Sequence, residues 1–556
     1  NSTEVVRLEN SLLVAFVLSL GVFIGWGYIM SLIEGPPPSQ VELEKQLADI
    51  PSSVSPGISL QTSPIGKPGI PSKLTPETSP AATARKLEFP GEETTIKIST
   101  GLATYIFTNK GAMIKNILLT QHKTAEGEPI DLVEHKDNST LPLALESNNN
   151  QVTNILQNAY YQASITSLEL SESQPTGKLE MKLVHSSGVE VSREFIFRYN
   201  DFMVDVNTQI HAPTFSSQNL TYNVLYGPGM GGKVTSQTDY IVFSGATTFV
   251  NNERLESPSE DIVSEVVHRG DVAWTSFQNK YFGTALIPKE GIKSAVVKKY
   301  DENVYVGLKM ESVQSSASSS HILYAGTKEL QVLEKSGHKL VRLMDYGWFG
   351  NKFAFLVKPL LKVLQYFYNI FNNYGWAIIF VTIVIKVIFA PLTHKSFKSM
   401  KGMQKVQPYV KVIQERHKND RQKMNEEMIE LYKKHKVNPL GGCLPMLLQI
   451  PVFIGLYHAL FFSIELRGAP FVGWIEDLSV ADPYYVWPVI MGATMFLQQK
   501  LNPSIGDPMQ QKIMMMLPIV FTFLFMSFPS GLVLYWTVNN ILTISQQAYI
   551  YKFSKD

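Results

Sequence analysis

Lys386 stands inside an otherwise apolar run, WAIIFVTIVIKVIFAPL (376–392), where an ammonium group is hard to solvate. At the centre of a bilayer a lysine costs about 2.5–3.5 kcal/mol on insertion scales. Counting about 1.5 Å per helical residue, Lys386 lies roughly 16 Å from Gly375 and about 9 Å from Leu392, so its stem could carry the charge only part of the way to an interface. The apolar runs after residue 374 contain no Asp or Glu, and the nearest acids, Glu465 and the 476–482 cluster, fall at or beyond their ends. Proton-relay chemistry of the transporter kind lacks its carboxylates here. A cation without an internal counter-charge is tolerable if it faces water, which suits it to receive a negative charge brought from outside. Other polar residues could line the same wet cavity: Thr382 one turn before Lys386, Gln449, Gln498, and the set Trp536, Asn540, Thr543 and Gln547, which share a helical face. The same set could equally serve as hydrogen bonds between helices.

Other chemistries find less support. GPGMGGK (227–233) loosely resembles a phosphate-binding loop but lacks its spacing and the Ser/Thr after the lysine, so it reads as a turn. His122, His135, His185, His211 and His268 show no metal-ligand spacing, and the single Cys443 excludes an intrachain disulfide or a cysteine metal cluster. No cofactor is expected.

The elements that would position these residues follow from hydropathy. The 556 residues carry a net charge of +1, but uncharged apolar runs alternate with soluble-looking sequence. Residues 11–33 are uncharged and long enough to cross a bilayer core of about 30 Å; a retained N-terminal anchor (1–34) is expected rather than a cleaved signal. The chain opens on Asn1 rather than Met and is expected to begin just after the natural N-terminus. A Pro/Ser-rich tether occupies 35–90. From 91 to 340, short alternating segments such as VEVSREFIFRY and FMVDVNTQIHA, separated by turn residues, predict an antiparallel all-β sandwich. Residues 341–372 include a helical pattern with Lys358, Lys362, Gln365 and Asn369 on one stripe and aromatic residues around the rest, the pattern of an interfacial helix.

Five further apolar segments follow within 373–556, giving six spans with the anchor. The 393–438 segment is rich in Lys and Arg, including Lys401, Lys405, Lys411, Arg416 and Arg421, whereas 465–483 has only Arg467 among four acids. The positive-inside rule places 393–438 and both termini in the cytoplasm and the β domain outside. Two amphipathic stretches joined at 418–420 predict a helical hairpin within 393–438, whose cationic face could touch anionic lipid or ribosomal RNA.

The runs KVNPLGGCLPMLLQIPVFIGLYHAL (436–460), DPYYVWPVIMGATMFLQQK (482–500), DPMQQKIMMMLPIVFTFLF (507–525) and FPSGLVLYWTVNNILTISQQ (528–547) strongly resemble the YidC/Oxa/Alb family of membrane protein insertases, in its Gram-negative form with a large periplasmic domain. The resemblance implies a polytopic α-helical membrane protein of six spans with a five-helix insertase core, plus a periplasmic all-β supersandwich domain. It implies a hydrophilic groove open to the cytoplasm and to lipid, with a positive residue in span two, usually Arg, at the position of Lys386, and groove residues at Thr382, Tyr535 and Trp536 (often Tyr in relatives). Because lysine cannot make the bidentate contact of Arg, altered substrate tolerance is expected. The implied function is non-enzymatic: nascent membrane proteins enter the groove and are released into the lipid bilayer of the inner membrane, alone or with the Sec translocon and with ribosomes nearby, without ATP; no DNA is involved. Two other classes stay open on residues alone, a small-molecule transporter and a membrane-anchored periplasmic carbohydrate enzyme with paired carboxylates.

Overall fold

The computed structural model describes residues 91–553 apart from short internal stretches, the longest being 233–242. The expected anchor (1–34) and tether (35–90) lie outside the described residues. The β region and the helical region that follows form one continuous unit.

In the β region, alternation does the work the sequence suggests. Glu190–Arg198 buries Val191, Arg193, Phe195 and Phe197 and turns the intervening residues outward, as a period of two demands. Its strands form a nine-stranded sheet and two five-stranded sheets. Among the described pairings all are antiparallel except Thr95–Ser99 with Ser167–Glu169. The middle of the large sheet joins distant segments: Met203–His211 pairs with both Glu190–Arg198 and Ser316–Thr327. Tight turns are set locally, as at Asn251–Asn252, where both residues are left-handed (φ 50° and 67°), the geometry a two-residue hairpin needs. The core between sheets is aromatic: Phe107 meets Phe195 edge-on at 4.8 Å, and Trp274 stacks on Phe249 at 5.4 Å.

Nine α-helices are described: α1 (Asn150–Asn158), α2 (Leu330–Ser336), α3 (Ala354–Phe371), α4 (Tyr374–Arg416), α5 (Arg421–Lys434), α6 (Leu444–Phe461), α7 (Val486–Leu501), α8 (Pro508–Phe525) and α9 (Ser530–Phe553). Span two and the first arm of the basic hairpin are one helix, for α4 runs 43 residues without interruption through Pro391 and Pro408. The pair Asn372–Asn373 makes the corner before it. Asn372 is left-handed (φ 49°) and ends α3, while the Asn373 side chain accepts from the Trp376 amide and caps α4. Helix α3 buries Val357, Leu361 and Leu364, exposes Phe355, Tyr366 and Ile370, and ties Lys362 to Glu334 of α2 at 3.3 Å. Among the described residues α4 alone is both long and apolar enough to cross a bilayer; the apolar parts of α6 and α8 are shorter, at Gln449–Phe461 and Lys512–Phe525.

Helix α9 packs on α4 and α7, α3 on α4 and α6, and α7 on α8. Two glycines permit close approaches: a Cβ on Gly492 would fall 1.9 Å from Thr522 Oγ1, and one on Gly375 would fall 1.9 Å from the Phe471 ring. Gly375→Ala gains about 1 kcal/mol of helix propensity but forces that ring to move, an overpacking cost of about 1–3 kcal/mol. The variant is therefore expected to melt below the parent in detergent, measured by tryptophan fluorescence; a higher melting temperature would mean Phe471 yields freely.

Candidate functional site

Three turns into α4, Lys386 faces α9. Its Nζ donates to Thr543 Oγ1 at 2.7 Å, and that hydroxyl donates in turn to the Asn539 carbonyl at 2.6 Å. The counterpart of the charge is therefore a hydroxyl dipole rather than a carboxylate, which leaves the ammonium two further N–H donors. Around it lies a cleft of about 30 Å³ between α4, α6 and α9, with Thr393, Gln449, Tyr535 and Asn539 supplying its polar wall. That volume admits about one or two water molecules.

A second polar pair extends the α4–α9 seam. Gln546 Nε2 donates to Thr393 Oγ1 at 2.7 Å, two turns further along α4 than Lys386. Beyond it, the carbonyl of Leu501 at the C-terminus of α7 accepts from Gln547 of α9 at 3.2 Å and from Gln404 of α4 at 3.4 Å. A helix end otherwise short of donors is thereby held by two neighbouring helices.

The expected groove residues separate into groups. Lys386, Gln449, Tyr535 and Thr543 come together at the cleft. Thr382 is buried, but its hydroxyl returns to the Ile378 carbonyl of its own helix at 2.7 Å. Asn540 turns to α7, donating to Thr494 Oγ1 at 3.1 Å. Trp536 enters an aromatic cluster instead, with Phe453 at 4.7 Å, Phe525 at 5.1 Å and Phe521 at 6.1 Å. Gln498 is half-buried on α7 and is not part of the cleft wall. Asn539 and Thr393 were missed. Their signal was spacing: Tyr535, Asn539 and Thr543 stand four residues apart on α9, and Thr393 is two turns from Lys386.

At the basic end, α5 folds back on α4. Arg416 and His417 reach Glu427 at 3.7 and 3.0 Å, and Tyr409 stacks on His435 at 5.6 Å. Lys405, Lys411 and Arg416 are exposed and Lys401 is half-buried; the side chain of Arg421 lies outside the described residues. At the opposite end the 465–483 loop seals the bundle. Asp482, fully buried, accepts from the Trp474 indole at 2.8 Å and from the amides of Tyr484 and Trp487, capping α7. This end also meets the β region, where Lys280 lies over the Phe461 ring at 3.8 Å and Arg467 donates to the Lys123 carbonyl at 2.9 Å.

Thr543→Val keeps the shape of the side chain and deletes the one hydroxyl bound to Lys386. It is expected to destabilise the protein by about 1.5–3 kcal/mol, the range for hydrogen bonds to charged groups. Thr382→Val, which removes only a bond back to its own helix, is expected to cost less than about 0.5 kcal/mol. Equal melting temperatures for the two variants would show that the interhelix bond contributes nothing.

A family model described as 60Kd inner membrane protein matches residues 366–556, and one described as YidC periplasmic domain matches 95–363. The chain is 38% identical to the membrane protein insertase YidC of Geobacter metallireducens over 98% of both chains. It is 38% identical to that of Geotalea daltonii, covering 98% of this chain and 99% of the relative. Against that of a Geobacter strain it is 41% identical over 82% of this chain and 85% of the relative. A polar cleft in an apolar bundle and a large sandwich domain thus occur in a chain that matches these proteins nearly end to end, and the chain belongs to the YidC family of membrane protein insertases.

Proposed function

We propose that this inner-membrane insertase receives the polar tail of a nascent membrane protein in the cleft around Lys386 and releases its apolar segment into lipid. The observation that carries the reading is the state of Lys386: a cation in a bundle whose helices α6 to α9 contain no carboxylate, met by one hydroxyl and otherwise directed at a cleft. At an effective dielectric of about 20, a carboxylate arriving within about 4 Å would gain about 4 kcal/mol, while Thr543 loses only a neutral partner's share. A cleft of about 30 Å³ holds water and not a peptide, so admission of a tail parts the α4–α9 seam at the Lys386–Thr543 and Thr393–Gln546 bonds. Transfer of the apolar segment from water to hydrocarbon supplies the driving force, and no ATP hydrolysis is required.

In the same reading the molecule has six spans: the N-terminal anchor, the apolar half of α4, and α6 to α9. Both termini and the α4–α5 hairpin face the cytoplasm, and the sandwich domain faces the periplasm. The exposed bases Lys405, Lys411 and Arg416 meet incoming chains, ribosomal RNA or anionic headgroups; Phe355, Tyr366 and Ile370 of α3 rest in the outer interface. The protein works alone or beside the Sec translocon and performs no covalent catalysis.

Complementation of a depleted strain, with insertion of a small two-span protein as readout, tests the charge. Lys386→Arg is expected to sustain insertion, Lys386→Ala to slow it, and Lys386→Glu to slow it by about tenfold or more because attraction becomes repulsion. Wild-type rates with Lys386→Glu would refute a charge role, and normal insertion in depleted cells without complementation would refute the insertase reading itself.

A further inference from the structure

Far from the cleft, the inner face of the large periplasmic sheet holds a second cation with an incomplete set of partners. Arg193 occupies a mid-strand position at 0% exposure, in a row otherwise made of Val191, Phe195 and Phe197. Its Nη1 donates to the carbonyls of Ala112 at 2.8 Å and Leu143 at 2.9 Å, and the guanidinium lies 5.2 Å from the centroid of the Phe195 ring. Nε and Nη2 meet no acceptor among the described residues. Those two nitrogens form the edge whose parallel N–H groups grip an anion in bidentate fashion.

The neighbours complete a site of donors. Thr208 stands directly across from Arg193 on Met203–His211 and is fully buried, with Oγ1 unpartnered. Ser319, across from Thr208, is already engaged with the Tyr222 hydroxyl at 2.6 Å. One pleat along, in the row of Phe195 and Val206, His321 is fully buried with both ring nitrogens unpartnered. Burial and the charge of Arg193 push His321 down to about 3, so it is neutral, with one N–H to give. Burial alone pushes Arg193 down to about 10, so it stays charged at neutral pH. The groups whose charge reaches Arg193 are the hydroxyls of Tyr161 and Tyr222, both neutral at that pH. A guanidinium buried without counter-charge costs several kcal/mol, yet this one is fully buried in the domain.

We propose that the periplasmic domain encloses a small monovalent inorganic anion, a halide such as chloride, seated on the Nε–Nη2 edge of Arg193 and flanked by Thr208 Oγ1 and the His321 ring. The ion balances the buried charge and supplies an acceptor to four donors at once: Nε–H, Nη2–H, the threonine O–H and the imidazole N–H. Because Arg193 has no exposed surface, the ion is trapped as the sheets close and exchanges only when they open. Its role is structural and independent of the cleft at Lys386.

The full-length protein in detergent, prepared in gluconate and titrated with chloride at constant ionic strength, tests this. Its melting temperature is expected to rise by about 3 °C or more by about 200 mM chloride, as for a ligand that binds only the folded state; bromide should act alike. Thr208→Val should reduce the response, and Arg193→Met should abolish it. Crystals of the unmodified protein grown in bromide need no variant to fold, and an anomalous bromine peak at the Nε–Nη2 edge is expected. Water density alone at that edge, or a melting temperature indifferent to halide, overturns the proposal.

Discussion

A charge inside an apolar bundle constrains everything built around it. Lys386 has to be met by something polar, and α6 to α9 contribute no carboxylate to meet it. The partner is a threonine hydroxyl one helix away, strong enough to hold the ammonium and weak enough to be replaced by a better acceptor. The position of Thr543 depends on α9 packing against α4, and the direction of α4 depends on the Asn372–Asn373 corner and the close contact at Gly375. A carboxylate partner would have stabilised the lysine more and left it without a net charge to offer.

Besides its apolar core, the bundle around that pair is joined by amide and hydroxyl side chains at several helix contacts: Gln546 on Thr393, Asn540 on Thr494, and Gln404 with Gln547 on Leu501. In hydrocarbon such bonds contribute modestly, about 0.6 kcal/mol on average. Their number therefore fixes helix register without making any single contact costly to break. The opposite end is built differently, with a buried aspartate, the tilted ring pair Phe471–Trp487 and a cation–ring contact to the β region.

Much of this was legible in the residues. An absence of acids is a fact of composition, so the anomaly of Lys386 could be read without coordinates, and strict alternation gave the β region away. The division of the α9 face could not be read. Trp536, Asn540 and Thr543 share a stripe in projection, but α9 contacts several helices at once, and small differences in angle send the three side chains to different partners. Sheet order was equally hidden, because Met203–His211 and Ser316–Thr327 meet across more than a hundred residues, a pairing no local pattern encodes. Arg193 interrupts an apolar row, and only its surroundings give it meaning.

The unbroken course of α4 has a consequence of phase. Each residue of a helix turns the next by about 100°, so a continuous helix carries the azimuth of one end to the other. The direction in which Lys386 faces thereby sets the direction in which Lys405, Lys411 and Arg416 face, some 19 to 30 residues on. The apolar half and the basic half cannot be oriented separately, as they could be across a flexible loop. A change of length within α4 would swing one half about the axis of the other, whereas the same change in the segment before α6 would alter neither. The basic surface and the charged cleft are two stations on one shaft.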